Sequence, residues 1–167
     1  MADIDSTLTQ DLLKELFLYR NGCLFWKVKK ANNVKLFEQV GSASKTDRYL
    51  RVMINKKSYK VHRLVFLYHH GYLPKYIDHI NGNTFDNVIA NLRDATVEQN
   101  NQNAKTRKDS TSGIKGVFIH KLTGKWAAAC QSNKKRKHLG LFDTIAEAEK
   151  AVKSYREQLH GEFARHT

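Results

Sequence analysis

Apolar residues in the first twenty positions recur with helical rather than strand spacing. In "LTQDLLKELFLYR", residues 8–20, Leu12, Leu13, Leu16, Phe17 and Tyr19 follow Thr9, a residue type that caps helix N-termini, and they predict a short amphipathic helix. The pattern then changes. "CLFWKVKK" from Cys23 and "YLRVMINKKSYKVHRLV" from Tyr49 alternate apolar with polar positions, as half-buried strands do, and residues 55–58 between two such runs predict a hairpin. Residues 64–70 are apolar and aromatic enough for a buried helix or strand, ended by Gly71 and the single proline, Pro74.

Near the other end, "GIKGVFIH", "KWAAACQS" and "RKHLGLF" read as three strands separated by turns at 121–124 and 132–135. A helix follows over 143–160, with Ile145, Ala148, Val152, Tyr155 and Leu159 on one face, Thr144 and Glu147 at capping-box spacing, and Gly161 as its stop. Period-two alternation turns Val117, Ile119, Trp126, Ala128 and Cys130 toward that helix, so Trp126 is a core residue. Lys115, Phe118, His120, Ala129, Gln131, Arg136 and His138 fall on the open face. The polar run "NQNAKTRKDSTSG", residues 101–113, reads as a helix end plus linker.

Between these parts lies "YIDHINGNTFDNVIANLRDATVEQN", residues 76–100, rich in asparagine and with little periodicity. Asn81-Gly82 predicts a type I′ hairpin turn, with Asp78 and His79 on the strand that enters it. Thr96 and Gln99 have capping-box spacing, so a helix should start at Thr96, with Asn100 in its first turn and Asn103 on roughly the same face. The amides between belong to an irregular loop whose backbone they help to satisfy. Histidine accepts a proton near neutral pH. One carboxylate plus one amide oxygen suits a hard cation such as Mg²⁺ or Mn²⁺ rather than zinc.

Charge narrows the partner. The 167 residues carry 29 Lys+Arg against 16 Asp+Glu, a formal +13, and both parts share it: 18 basic against 10 acidic over 1–108, and 11 against 6 over 109–167. Such a chain suits a polyanion, through either part. No apolar run reaches membrane-spanning length, and residues 1–10 lack the basic-then-apolar layout of a signal peptide, so the expected setting is intracellular, without a membrane partner. Cys23 and Cys130 form no C-x-x-C pattern, which argues against a zinc ribbon or a disulfide framework.

Four elements together, "VHRLV" at 61–65, "DHINGN" at 78–83, "DNVIANLR" at 86–93 and "EQNNQN" at 98–103, resemble the HNH nuclease family, in particular the phage and intron homing endonucleases. The resemblance implies a ββα-metal core with one divalent cation, His79 as general base, Asp78 and Asn100 as metal ligands, and Asn91 bracing the loop that orients the histidine. Asn103 is a second occupant for the last ligand position, and Val88 stands where that family commonly has arginine. His62 ranks as structural or phosphate-facing, and His69 and His70 as part of a packed segment. Residues 112–164 resemble the AP2 DNA-binding domain, through Lys115-Gly116-Val117, Gly124-Lys125-Trp126, Leu139-Gly140, Phe142-Asp143 and Gly161-Glu162-Phe163-Ala164. That implies a sheet lying on DNA.

The expected architecture is α+β: an N-terminal helix and β-rich DNA-contacting region (1–60), an HNH core (61–108), then a three-stranded antiparallel sheet plus helix of AP2 type (109–167). The expected function is metal-dependent cleavage of double-stranded DNA by a monomer or homodimer, in the cytoplasm of a bacterial host if the gene is a phage's. Arg93, Lys115, Phe118, His120, Gln131, Arg136 and His138 are the expected DNA contacts. The alternative is a non-catalytic DNA-binding regulator on a degenerate nuclease scaffold.

Overall fold

The computed structural model describes residues 8–29, 35–43, 45–104, 106, 110–132 and 135–164. The chain divides into two compact units, Met1–Asp94 and Ala95–Thr167.

In the first unit, helix α1 (Gln10–Leu16) begins where Thr9 Oγ1 accepts the Leu12 N–H at 3.2 Å. It stops earlier than its apolar spacing predicts. Phe17 and Tyr19 lie instead on strand β1 (Phe17–Arg20), which pairs antiparallel with β2 (Cys23–Trp26). The cause is the turn between them: Asn21 and Gly22 take φ of 48° and 82°, the mirror-image turn that matches strand twist, and Phe17 closes on Trp26 with ring centroids 4.7 Å apart. β3 (Arg51–Ile54) and β4 (Lys57–Lys60) form the second expected hairpin, through Asn55 and Lys56 at φ of 50° and 64°. "VHRLV" is not strand. It opens helix α2 (Val61–His70), whose Val61, Leu64, Val65 and Phe66 join Leu13, Phe17, Leu24 and Val40 in a single buried cluster.

β5 (Tyr76–His79) and β6 (Leu92–Ala95) make a further two-stranded sheet, with Ile77 and Leu92 entering the same core. Their connection corrects the expected hairpin. Asn81-Gly82 does not form a type I′ turn, because Asn81 keeps a negative φ and only Gly82 is positive, at 63°. Gly82 N–H instead bonds to the His79 carbonyl at 2.7 Å, closing a turn centred on Ile80 and Asn81. The partner strand begins only after residues 80–91, the last three of which, Ile89–Asn91, form a 3₁₀ turn.

The second unit starts with helix α3 (Val97–Gln102), and both halves of the Thr96–Gln99 capping box are made. Strands β7 (Val117–Ile119), β8 (Trp126–Ser132) and β9 (Lys135–Phe142) follow in spatial order β7-β8-β9, antiparallel, and helix α4 (Ile145–His160) covers one face behind the Thr144–Glu147 capping box. Val117, Ala128, Ala148 and Val152 are the core, with Trp126, Leu139, Phe142 and Ile145 packed against it. A bulge at Ala128/Ala129 pairs Ala128 with Gly140 but Ala129 with His138, which leaves Leu139 as the additional residue of β9. Ile119 and Leu159 were expected under cover but are 43% and 42% exposed, since one ends a three-residue strand and the other lies in the last turn of α4. No helix among the described residues is long and apolar enough to cross a membrane.

Gly116 is held by its surroundings as well as by its φ of +83°. A Cβ there would lie 2.3 Å from the Ala129 carbonyl oxygen, while Arg156, itself buried, donates to the Lys115 carbonyl at 2.5 Å. Gly116→Ala is expected to destabilise the second unit by at least about 2 kcal/mol, the cost of a left-handed L-residue with the clash added. Hydrogen exchange at the β8 amides checks it.

Candidate active site

Successive residues of a strand face opposite ways. Asp78 and His79, the last two of β5, are nonetheless both buried, at 3% and 4% exposure, so each needs its own compensation. Asp78 finds Arg93 on β6: Nε donates to Oδ2 at 2.9 Å, and Nη2 stands 2.9 Å from the same oxygen as a charge partner without hydrogen-bond alignment. Both side chains are largely out of water, at 13% and 4% exposure, so the attraction is little screened.

His79 places Nε2 3.2 Å from Oδ1 of Asn87, a buried residue of the loop. An amide oxygen only accepts, so in this arrangement Nε2 carries the proton and Nδ1 is the basic nitrogen. Around the ring stand His62, edge-on at 5.1 Å between centroids, and Tyr49 at 6.1 Å, with Lys60 Nζ 4.4 Å from the centre of the Tyr49 ring. Burial pushes the His79 pKa down, against the Asn87 hydrogen bond and the Asp78 and Asp86 carboxylates, which raise it. His62 is pushed down to about 3, by burial first and then by His79, Lys60 and Arg63. Both imidazoles are neutral at neutral pH.

The loop over 80–91 is held by side-chain amides in place of a strand ladder. Asn91 Oδ1 accepts the Asn81 N–H at 2.9 Å, and its Nδ2 donates to Asn81 Oδ1 at 3.0 Å and to the Asp86 carbonyl at 2.8 Å. Asn81 Nδ2 in turn donates to Asp86 Oδ2 at 2.7 Å, and Asn83 Oδ1 and Asp86 Oδ1 each take a backbone N–H two residues ahead. These bonds carry the chain from His79 to Asn87 and back to β6.

The remaining candidates lie in the second unit. Asn100 is exposed on α3, and Asn103, its C-cap residue, is buried. Lys115 directs its ammonium to the Gln102 and Ala104 carbonyls, both at 2.7 Å, at the end of α3. Phe118, Arg136 and His138 gather on the open sheet face, the Arg136 guanidinium 4.7 Å from the Phe118 ring centre and His138 6.0 Å from it; Gln131 pairs with Arg136 in register. His120 bonds through Nδ1 to Thr123 Oγ1 at 2.9 Å in the β7–β8 turn. Among the described residues no group of three or more His, Cys, Asp and Glu side chains is placed to hold a metal. Asn87 and Tyr49 went unmarked in the sequence: one is a loop amide among many, and the other lies thirty residues from His79.

A geometry of this kind, an Asp-His pair closed by an asparagine-stitched loop, coincides with a recognised domain: the family model described as HNH endonuclease matches residues 59–102. The chain is also similar to Protein 3.8 of Escherichia phage T7, with 37% identity over 97 residues, 57% of this chain and 79% of that protein. It belongs to the family of that phage protein, and carries an HNH endonuclease domain. No solved structure matches it.

Folding keeps His62 neutral, whereas the unfolded side chain takes up a proton below its ordinary value of 6.5. Stability is therefore lost as pH falls from about 6.5 toward 3, with a contribution from this residue approaching about 1.4 kcal/mol per pH unit. His62→Gln is expected to flatten the curve of stability against pH in that window relative to wild type, and urea unfolding at a series of pH values measures the difference.

Proposed function

We propose that the protein is a metal-dependent endonuclease of the homing type, hydrolysing phosphodiester bonds of double-stranded DNA inside a bacterial host. His79 is the general base, Asp78 and Asn100 are the ligands of one Mg²⁺ or Mn²⁺ ion, Asn91 braces the loop, and the AP2-like open face of the second unit's sheet holds the target. The observation that carries this reading is His79 itself: a neutral imidazole beside a buried carboxylate, with Nε2 occupied by Asn87, inside the HNH stretch.

The donor set fits the cation. A carboxylate and an amide offer only oxygen, leaving the rest of the shell to water and phosphate, as a hard ion prefers. When bound, such an ion neutralises the phosphoryl oxygens and the departing alkoxide. The protein's part is the proton. As a water oxygen bonds to phosphorus and the bridging P–O bond breaks, His79 Nδ1 takes the water's proton, and the leaving oxygen is protonated from solvent. Arg136, exposed with its guanidinium 4.7 Å from the Phe118 ring centre, is the group on this face suited to a phosphate or a base edge.

A second reading has one observation in its favour. Arg93 already supplies a positive charge to Asp78, as a metal ion would. On that reading the chain is a DNA-binding regulator on a degenerate scaffold. Cleavage separates the two: purified protein with Mg²⁺ or Mn²⁺ is expected to nick or cut DNA, and His79→Ala to lower the single-turnover rate by roughly 10² to 10⁴ while leaving the Kd for DNA nearly unchanged. Binding with no cleavage in any divalent ion establishes the regulator instead. For the sheet face, Arg136→Gln is expected to weaken DNA binding and to reduce the slope of log affinity against log salt by about one, as one fewer counterion is released.

A further inference from the structure

The β1–β2 hairpin presses against the loop that carries Asn87. Tyr19, on β1, accepts the Ile89 backbone N–H through its hydroxyl at 3.0 Å. Ile89 opens the 3₁₀ turn, where a backbone N–H has no partner within the turn itself. The Tyr19 ring is fixed in turn by α2, with His69 edge-on at 4.4 Å and Tyr68 at 6.1 Å. Three residues on, a Cβ at Gly22 would lie 2.7 Å from the Val88 nitrogen and 3.1 Å from the Asn87 carbonyl carbon.

Turn geometry alone does not demand that glycine. The β3–β4 hairpin uses the same turn with Lys56 at φ 64° in the equivalent second position. What distinguishes Gly22 is the backbone lying on it. The contacts therefore run from α2 through Tyr19 and Gly22 to residues 87–89, and from Asn87 to His79 Nε2.

We infer that the tip of the β1–β2 hairpin is a positioning element for the site: Tyr19 and Gly22 fix the height of residues 87–89, and Asn87 thereby sets the plane and tautomer of the His79 ring. The inference rests on His79 acting as the base, but its geometry is readable without catalysis. It assigns part of the N-terminal region a mechanical task distinct from contact with DNA.

Tyr19→Phe removes one hydroxyl and keeps the ring; Gly22→Asn keeps a residue that tolerates positive φ and adds a Cβ against Val88. Leu18→Ala, on the same strand and 44% exposed, is the control. ¹⁵N NMR of the His79 imidazole in the full chain is expected to show protonated Nε2 in wild type and Leu18→Ala, and a shift toward the other tautomer in both test variants. Single-turnover cleavage at saturating DNA is expected to fall about tenfold in the test variants, with Kd for DNA unchanged within twofold. Unaltered imidazole signals in Tyr19→Phe and Gly22→Asn overturn the inference, even if their unfolding midpoints drop. A loss of DNA affinity that accounts for the whole loss of rate also overturns it, by making the hairpin a DNA contact. If wild type does not cleave, the functional reading fails while the NMR result still decides this one.

Discussion

An imidazole removed from water is held in its neutral form, and the side chains around His79 answer that constraint. His79 and His62 meet edge-on, and burial disfavours a second proton on either; at His62, His79, Lys60 and Arg63 add to that effect. Neutrality by itself leaves two tautomers. The Asn87 oxygen selects one, and the basic nitrogen is then the one turned from that amide. The acid next in the chain is buried as well, and Arg93 compensates its charge across the two-stranded sheet. The site is thus three separate solutions to one desolvation problem: a neutral ring, an amide that orients it, and an ion pair one residue away.

The loop explains the asparagines. Between β5 and β6 the chain has neither a helix nor a strand to satisfy its peptide groups, and buried or half-buried backbone must bond to something. Asn81, Asn83, Asp86 and Asn91 provide short, stiff side chains that reach backbone groups two to ten residues away. These bonds are polar, and Ile89 adds an apolar contact with the hydrophobic core. The hairpin lying against Val88 and Ile89 provides an external prop.

Much of the fold was legible where a local rule dominates. Thr9, Thr96 and Thr144 cap helices as their spacing announces, Asn55-Lys56 turns a hairpin, and Trp126 packs on the second core. Errors came where tertiary pairing overrode a local signal. Phe17 and Tyr19 continue a helical spacing, yet the Asn21-Gly22 turn recruits them to a strand; residues 61–65 alternate like a strand, yet Val61, Leu64 and Val65 face one core as a helix. Asn81-Gly82 has hairpin composition, but Asn91 claims the Asn81 backbone and side chain, and the chain turns differently. Within the site, Asp78 and His79 were visible as an adjacent pair. Their partners Arg93, Asn87 and Tyr49 were not visible as partners, because a contact between distant positions leaves no trace in spacing.

Helix α3 has six residues, too few to persist alone in water. Its far end is gripped by the Lys115 ammonium, from the segment that leads into β7, so the helix belongs structurally with the sheet that follows it. The matched stretch, residues 59–102, therefore crosses the boundary between the units in sequence: Asp78 and His79 belong to the first and Asn100 and the rest of α3 to the second. For recombination between related genes this sets where a crossover is tolerated. An exchange that joins a foreign tail after the motif, at the polar stretch that looks like a natural boundary, would strand α3 without its clasp, whereas a junction ahead of Thr96 would carry helix and clasp together.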